Sequence, residues 1–190
     1  MNFHPQPPTA SPAESVLAAY FRAKDTNRPH LLDRVFSVDA RLEVSNASPA
    51  IAFLAVTIGR EQIADVLVRQ FGRTCENVYS FYLSRPAGVV RQFICPWLVG
   101  MTDKESRTVR VGCGTYRWSL TYEPAPIATA LVISIEVMQV LDPSSGPRVL
   151  AWLEALPYPW TGVDAVLHAA PALEELKPVL KVLRGNVADA

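Results

Sequence analysis

Apolar positions recur first at helical spacing. Val16, Leu17 and Tyr20 share a stripe that Ala23 or Lys24 continues. Ser11-Pro12-Ala13-Glu14, just before it, has the chemistry of a helix start: Ser11 can cap, Pro12 suits the first turn, and Glu14 can close a capping box. Thr26-Asn27-Arg28-Pro29 breaks this helix, and a shorter one is expected over about 30–36. Ala40 to Ser45 alternates and reads as a strand, whereas the apolar run Ile51 to Ile58 is too short to assign. Gly59 to Phe71 predicts a second helix, with Ile63, Val66, Leu67 and Phe71 on one face.

The pattern then turns to β. Segments 76–85, 92–102, 108–122, 128–141 and 148–156 are rich in Val, Ile, Tyr, Phe and Trp, and turn residues such as Arg85-Pro86-Ala87-Gly88 and Glu123-Pro124-Ala125-Pro126 separate them. Consecutive strands with short breaks imply an antiparallel meander, and helices followed by strands imply an α+β class. Gly146-Pro147 before 148–156 and Pro157 and Pro159 after it favour a strand there over a helix. Gly112 and Gly114 predict a bulge or strong bend; no helix follows them, so they do not form a phosphate loop. Leu173, Leu176, Leu180 and Leu183 then follow a helical period; Pro178 implies a kink or two short helices, and Gly185 an end. The expected organisation is a polar tail over 1–10, one domain over 11–156, and a C-terminal helical extension over 157–190 packed on it.

Composition narrows the function. The 190 residues suit one domain, and 49% hydrophobic against 19% charged residues excludes overall disorder. The formal net charge is zero and no dense Lys/Arg cluster is present, so a nucleic-acid partner is not expected. Cys75, Cys95 and Cys113 are odd in number, and neither they nor His4, His30 and His168 have metal-ligand spacing; no metal and no cofactor is expected. Asn46-Ala47-Ser48 fits a glycosylation acceptor, but nothing else suggests secretion. The N-terminus lacks the pattern of a signal peptide and no run is long enough to span a membrane, so a cytoplasmic protein without a membrane partner is expected.

The segment from Val16-Leu17-Ala18-Ala19-Tyr20 through Val35-Phe36-Ser37-Val38-Asp39-Ala40, with Gly59-Arg60-Glu61-Gln62-Ile63, resembles the opening of the nuclear transport factor 2-like (SnoaL-like, ketosteroid isomerase-like) superfamily. The resemblance spans about residues 11–156. It implies a cystatin-like cone, a curved sheet wrapped around the N-terminal helices. It also implies a homodimer through the sheet face. In the steroid isomerases of this superfamily a helix-one tyrosine and a protonated carboxylic acid donate hydrogen bonds to the developing enolate. The resemblance places these roles on Tyr20 and Glu136, and turns Tyr116, Trp118 and Leu120 toward the cavity. The aspartate base of those enzymes falls on Val44, which cannot accept a proton.

Plainer readings stand beside these. Tyr20 also suits a core tyrosine, and Tyr116, Trp118, Trp97 and Phe81 suit core packing. Strand alternation puts Glu136 on one face with Val132, Ser134 and Met138, which either lines the cavity or meets solvent or a second subunit. The function expected is binding of a small apolar carbonyl or phenolic ligand by Tyr20 and Glu136. One alternative is an isomerase, cyclase or dehydratase on a cyclic carbonyl substrate, with Glu43 or His30 as proton acceptor; the other is a homodimeric interaction module.

Overall fold

A computed structural model describes residues 10–46 and 55–188. Helix α1 (Pro12–Asp25) starts as its sequence requires. The Glu14 amide donates to Ser11 Oγ at 3.2 Å and the Ser11 amide donates to Glu14 Oε2 at 2.8 Å, which closes the capping box. A 3₁₀ turn (Pro29–Arg34) leads into β1 (Phe36–Asn46), longer at its start than the alternation indicated. Strand β2 (Val56–Ile58) occupies the end of the unassigned apolar run; residues 51–54 of that run, like most of the tail over 1–10, lie outside the described residues. The predicted second helix is α2 (Arg60–Ala64), a π-helical stretch (Asp65–Gln70) and α3 (Phe71–Thr74) in series.

Strands β3 (Cys75–Tyr82), β4 (Gln92–Asp103), β5 (Val109–Thr121) and β6 (Ile127–Leu141) follow as an antiparallel meander. The six-stranded sheet has the order β2-β1-β6-β5-β4-β3. It is mixed, because β6 returns beside β1 and runs parallel to it. Two irregularities interrupt the β5–β6 register. Ser119 and Leu120 face Ala130 and Ala128, while Cys113 and Gly114 face Val137 and Ile135. In each case β6 carries one extra residue, Thr129 or Glu136, and such bulges bend a sheet. Gly114 sits where the predicted bend falls; a Cβ there would lie 1.9 Å from the Ser134 carbonyl oxygen.

Apolar clusters cover both faces of the sheet. On one face, α1, α2 and the π-helical stretch pack Leu17, Tyr20, Phe21, Ile63 and Val68 against Phe36, Leu42, Trp118 and Leu131. On the other, α4 (Gly146–Ala155), α5 (Val163–Ala169) and α6 (Lys177–Ala188) pack Val149, Trp152, Leu153, Val166, Val179 and Leu183 against Phe81, Leu98, Val111 and Cys113.

Three details of this region differ from the sequence reading. Residues 148–156 are a helix and not a strand. Gly146-Pro147 opens it, where proline costs no hydrogen bond, and its Val149, Trp152 and Leu153 meet the sheet at helical spacing. Pro178 stands in the first turn of α6, so there are two helices and no kink. Gly185 does not end α6, which runs on to Ala188.

Two outcomes follow. The Ser134 carbonyl is backbone and cannot give way, so Gly114→Ala should cost about 3 kcal/mol, read as a lowered urea midpoint. Burial beneath α6 pushes the Cys113 thiol up to about 12. A thiol-specific reagent at pH 8 should therefore modify Cys113 only at the rate at which α6 lifts off, and fast modification would contradict the packing described here.

Candidate functional site

A cavity of about 60 Å³ opens between α1, the π-helical stretch and the inner face of the sheet. Tyr20 and Lys24, one helical turn apart, face it from α1, and Leu67 and Phe71 face it across the π-helical stretch. Val44, Trp97, Tyr116, Ile133 and Ile135 form its floor on four strands. Pi-helical turns often occur at functional sites, because the wider turn re-aims the side chains on either side of it.

Its polar groups are few and well placed. Tyr20 is fully buried, held edge-on against Trp118 (ring centroids 5.1 Å apart) and Tyr116 (6.2 Å). Burial, then the negative charge of Asp25, raises the pKa of its phenol far above the usual value; Tyr116 opposes the shift. No acceptable hydrogen bond reaches the Tyr20 hydroxyl, and the indole N–H of Trp97 also lacks a partner. A buried polar group in that state costs about 1–3 kcal/mol, so two of them on one cavity wall are a notable concession.

Behind the cavity lies a buried ionic cluster. The Lys24 ammonium is 2.7 Å from Asp25 Oδ1 and donates to Ser80 Oγ at 2.7 Å, with only 7% and 4% of the two charged side chains exposed. Asp25 also accepts from the Ser80 amide at 3.0 Å, from Ser80 Oγ at 2.8 Å and from the Tyr158 hydroxyl at 3.3 Å. Nζ of Lys24 lies 4.7 Å from the centre of the Phe71 ring. A lysine so enclosed by apolar walls keeps its charge through the carboxylate beside it.

The residues singled out from the sequence divide in two. Tyr20, Val44 and Tyr116 meet at the cavity. Trp118 and Leu120 are buried in the same core but form none of the cavity wall. Glu136 is not in the cavity: it is exposed on the opposite face, where its Oε1 accepts from the Thr115 hydroxyl at 3.0 Å. The bulge explains this. Leu131, Ile133 and Ile135 point inward by simple alternation, Glu136 is the extra residue, and Met138 resumes the inward row. Glu136 thus stays with Val132 and Ser134, and Met138 does not. Glu43 pairs with Arg41 at 2.6 Å at the surface, and His30 is exposed; neither reaches the cavity.

Sequence reasoning missed Lys24 and its partners. Lys24 falls on the apolar stripe of α1, and a lysine on such a stripe was the available signal. Ser80 and Tyr158, 55 and 133 positions from Asp25, carried none.

Asp25→Ala should leave the Lys24 charge buried without a counter-charge and cost about 3–5 kcal/mol, measured by chemical denaturation. Lys24→Met with Asp25→Leu should recover most of that loss.

No protein-family profile matches the chain, and no curated protein does. Many solved structures do. A hexachlorocyclohexane dehydrochlorinase of type 2 matches with a TM-score of 0.57 at 11% identity, over 68% of this chain and 86% of its own. A candidate isomerase from Rhodopseudomonas palustris gives 0.56 at 12%, over 68% and 92%. A candidate scytalone dehydratase from Novosphingobium aromaticivorans gives 0.54 at 13%, over 69% and 89%. Other matching structures bear the names ketosteroid isomerase-like and nuclear transport factor 2-like. Identities this low speak to the fold alone. Helices followed by a bent mixed sheet, with a cavity between them, are what the sequence resemblance implied, and the chain has the nuclear transport factor 2-like, ketosteroid isomerase-like fold.

Proposed function

We propose that the cavity binds a small, mainly apolar molecule through a carbonyl or phenolic oxygen, with Tyr20 and Lys24 as the donors. One observation carries this reading: the Tyr20 hydroxyl is buried without a partner in the wall of a cavity that also holds the Lys24 ammonium. An acceptor oxygen seated there relieves that cost, and Trp97 offers a further N–H. Lys24 takes the place that the sequence gave to Glu136.

The volume limits the ligand. Cavities that take benzene measure about 150 Å³, so about 60 Å³ suits a molecule of a few heavy atoms or the oxygen-bearing end of a larger one. A cyclic substrate would not be enclosed.

Binding is favoured over turnover by the character of the wall. A salt-bridged ammonium, phenols and an indole N–H donate, and Val44 stands where the resemblance puts the base. The elimination and isomerisation reactions named for the similar structures would need a proton acceptor, which these groups do not supply. In the same reading a second copy of the chain covers the sheet face left open by α4, α5 and α6, where Ile94 is 56% exposed.

Native mass spectrometry of the purified protein, followed by titration with short ketones, carboxylates and phenols, tests the reading. Tyr20→Phe should weaken binding about 5- to 30-fold, the range of one to two kcal/mol for a lost hydrogen bond. The same substitution should leave the ligand-free protein equally stable or more so, since it removes an unsatisfied group. Unchanged affinity in Tyr20→Phe and in Lys24→Met would overturn the assignment.

A further inference from the structure

A second concavity lies outside the cone. It is an open cleft of about 580 Å³ between the outer side of α1, the 3₁₀ turn after it and the segment around Trp160. That volume falls within the usual range for small-molecule sites, about 300–1,000 Å³.

The charge in this cleft is unbalanced. Arg22 on α1, Arg34 at the end of the 3₁₀ turn and Arg85 after β3 all line it, against one carboxylate, Glu14. That carboxylate is already engaged: Oε2 accepts from the Ser11 amide in the capping box, and Oε1 lies 3.8 Å from Arg85. Among the described residues, the guanidinium groups of Arg22 and Arg34 have no ion pair and no hydrogen bond. Like charges that share a cleft without counter-charges raise its affinity for an anion, and the guanidinium fork matches phosphate oxygens in pairs.

The remaining wall is apolar and aromatic. Ala18, Ala19 and Leu31 provide the floor, and the indole of Trp160 one side. Trp160 is fixed in place: its ring stacks on Tyr82 at 4.8 Å, and Tyr82 exchanges backbone hydrogen bonds with Pro159 and Thr161. The Arg85 guanidinium lies 5.7 Å from the Trp160 ring centre. A ligand that fits both halves carries a phosphate for Arg22 and Arg34 and a planar ring for the Trp160 side.

We propose that this cleft binds a small aryl or heteroaryl phosphate, with Arg22 and Arg34 holding the phosphate and Trp160 bordering the ring. The proposal does not depend on the cone cavity. Its test is calorimetric titration of the full chain with phenyl phosphate and, separately, inorganic phosphate, at low salt.

Phenyl phosphate should bind at least fivefold more tightly than inorganic phosphate. Arg22→Gln with Arg34→Gln should weaken it at least tenfold, Trp160→Leu should abolish the preference for the aryl ester, and Tyr20→Phe should change nothing. Arg22 and Arg34 are surface residues, so circular dichroism of the double variant should match the parent. Absence of binding, equal affinity of the two phosphates, or an unaffected Arg22/Arg34 variant overturns the proposal. Sensitivity to Tyr20→Phe does so too, by placing the probe in the cone.

Discussion

The carboxylate of Asp25 organises much of this molecule. It lies at the end of α1 and receives hydrogen bonds from Ser80 on β3 and from Tyr158, beyond α4, while neutralising Lys24. One buried charge thus ties the first helix to the edge of the sheet and to the segment that leads into the last helices. Such a charge is expensive to desolvate, and the surrounding donors offset that cost only in one arrangement. The position of Lys24 at the cavity, and hence the cavity's character as a site of donors, follows from that arrangement.

Parts of the structure that rest on local chemistry were legible in the sequence. The capping box at Ser11 and Glu14, the helix after Gly59 and the four long strands of the meander follow from turn chemistry and periodicity alone. The bend at Gly114 was legible too, but not its effect on the facing strand. A bulge inserts one residue and reverses every inside–outside assignment beyond it. Glu136 is that residue, so alternation misplaced it. Residues 148–156 failed for another reason: Gly146-Pro147 breaks a strand and opens a helix equally well, and the apolar pattern settled the matter only against a sheet face that no local window contains. In the site, Tyr20, Val44 and Tyr116 could be found because a resemblance located them. Lys24 could not, because its partners come from distant parts of the chain.

The two faces of the sheet serve different ends. The inner face, under α1 and the π-helical stretch, leaves a small gap bordered by unsatisfied donors. The outer face is filled by α4, α5 and α6, whose packing puts Leu153 Cδ1 2.2 Å from where a Cβ at Gly100 would lie. Among the described residues no helix is long and apolar enough to cross a membrane, and the apolar surface of these helices is spent on the sheet.

The parallel pairing of β1 and β6 has a consequence for the order of assembly. Ser45 and Ser134, whose hydroxyls meet at 3.1 Å across those strands, are 89 positions apart. Contacts of such separation bear a large loop-closure cost and slow a chain's folding. During synthesis β1 has no parallel neighbour until β6 has emerged, and the helices that cover the outer face emerge later still. Through that interval the meander exposes Phe81, Leu98, Val109 and Val111 to water. The sheet is therefore most open to association with other chains just before its own C-terminus arrives to cover it.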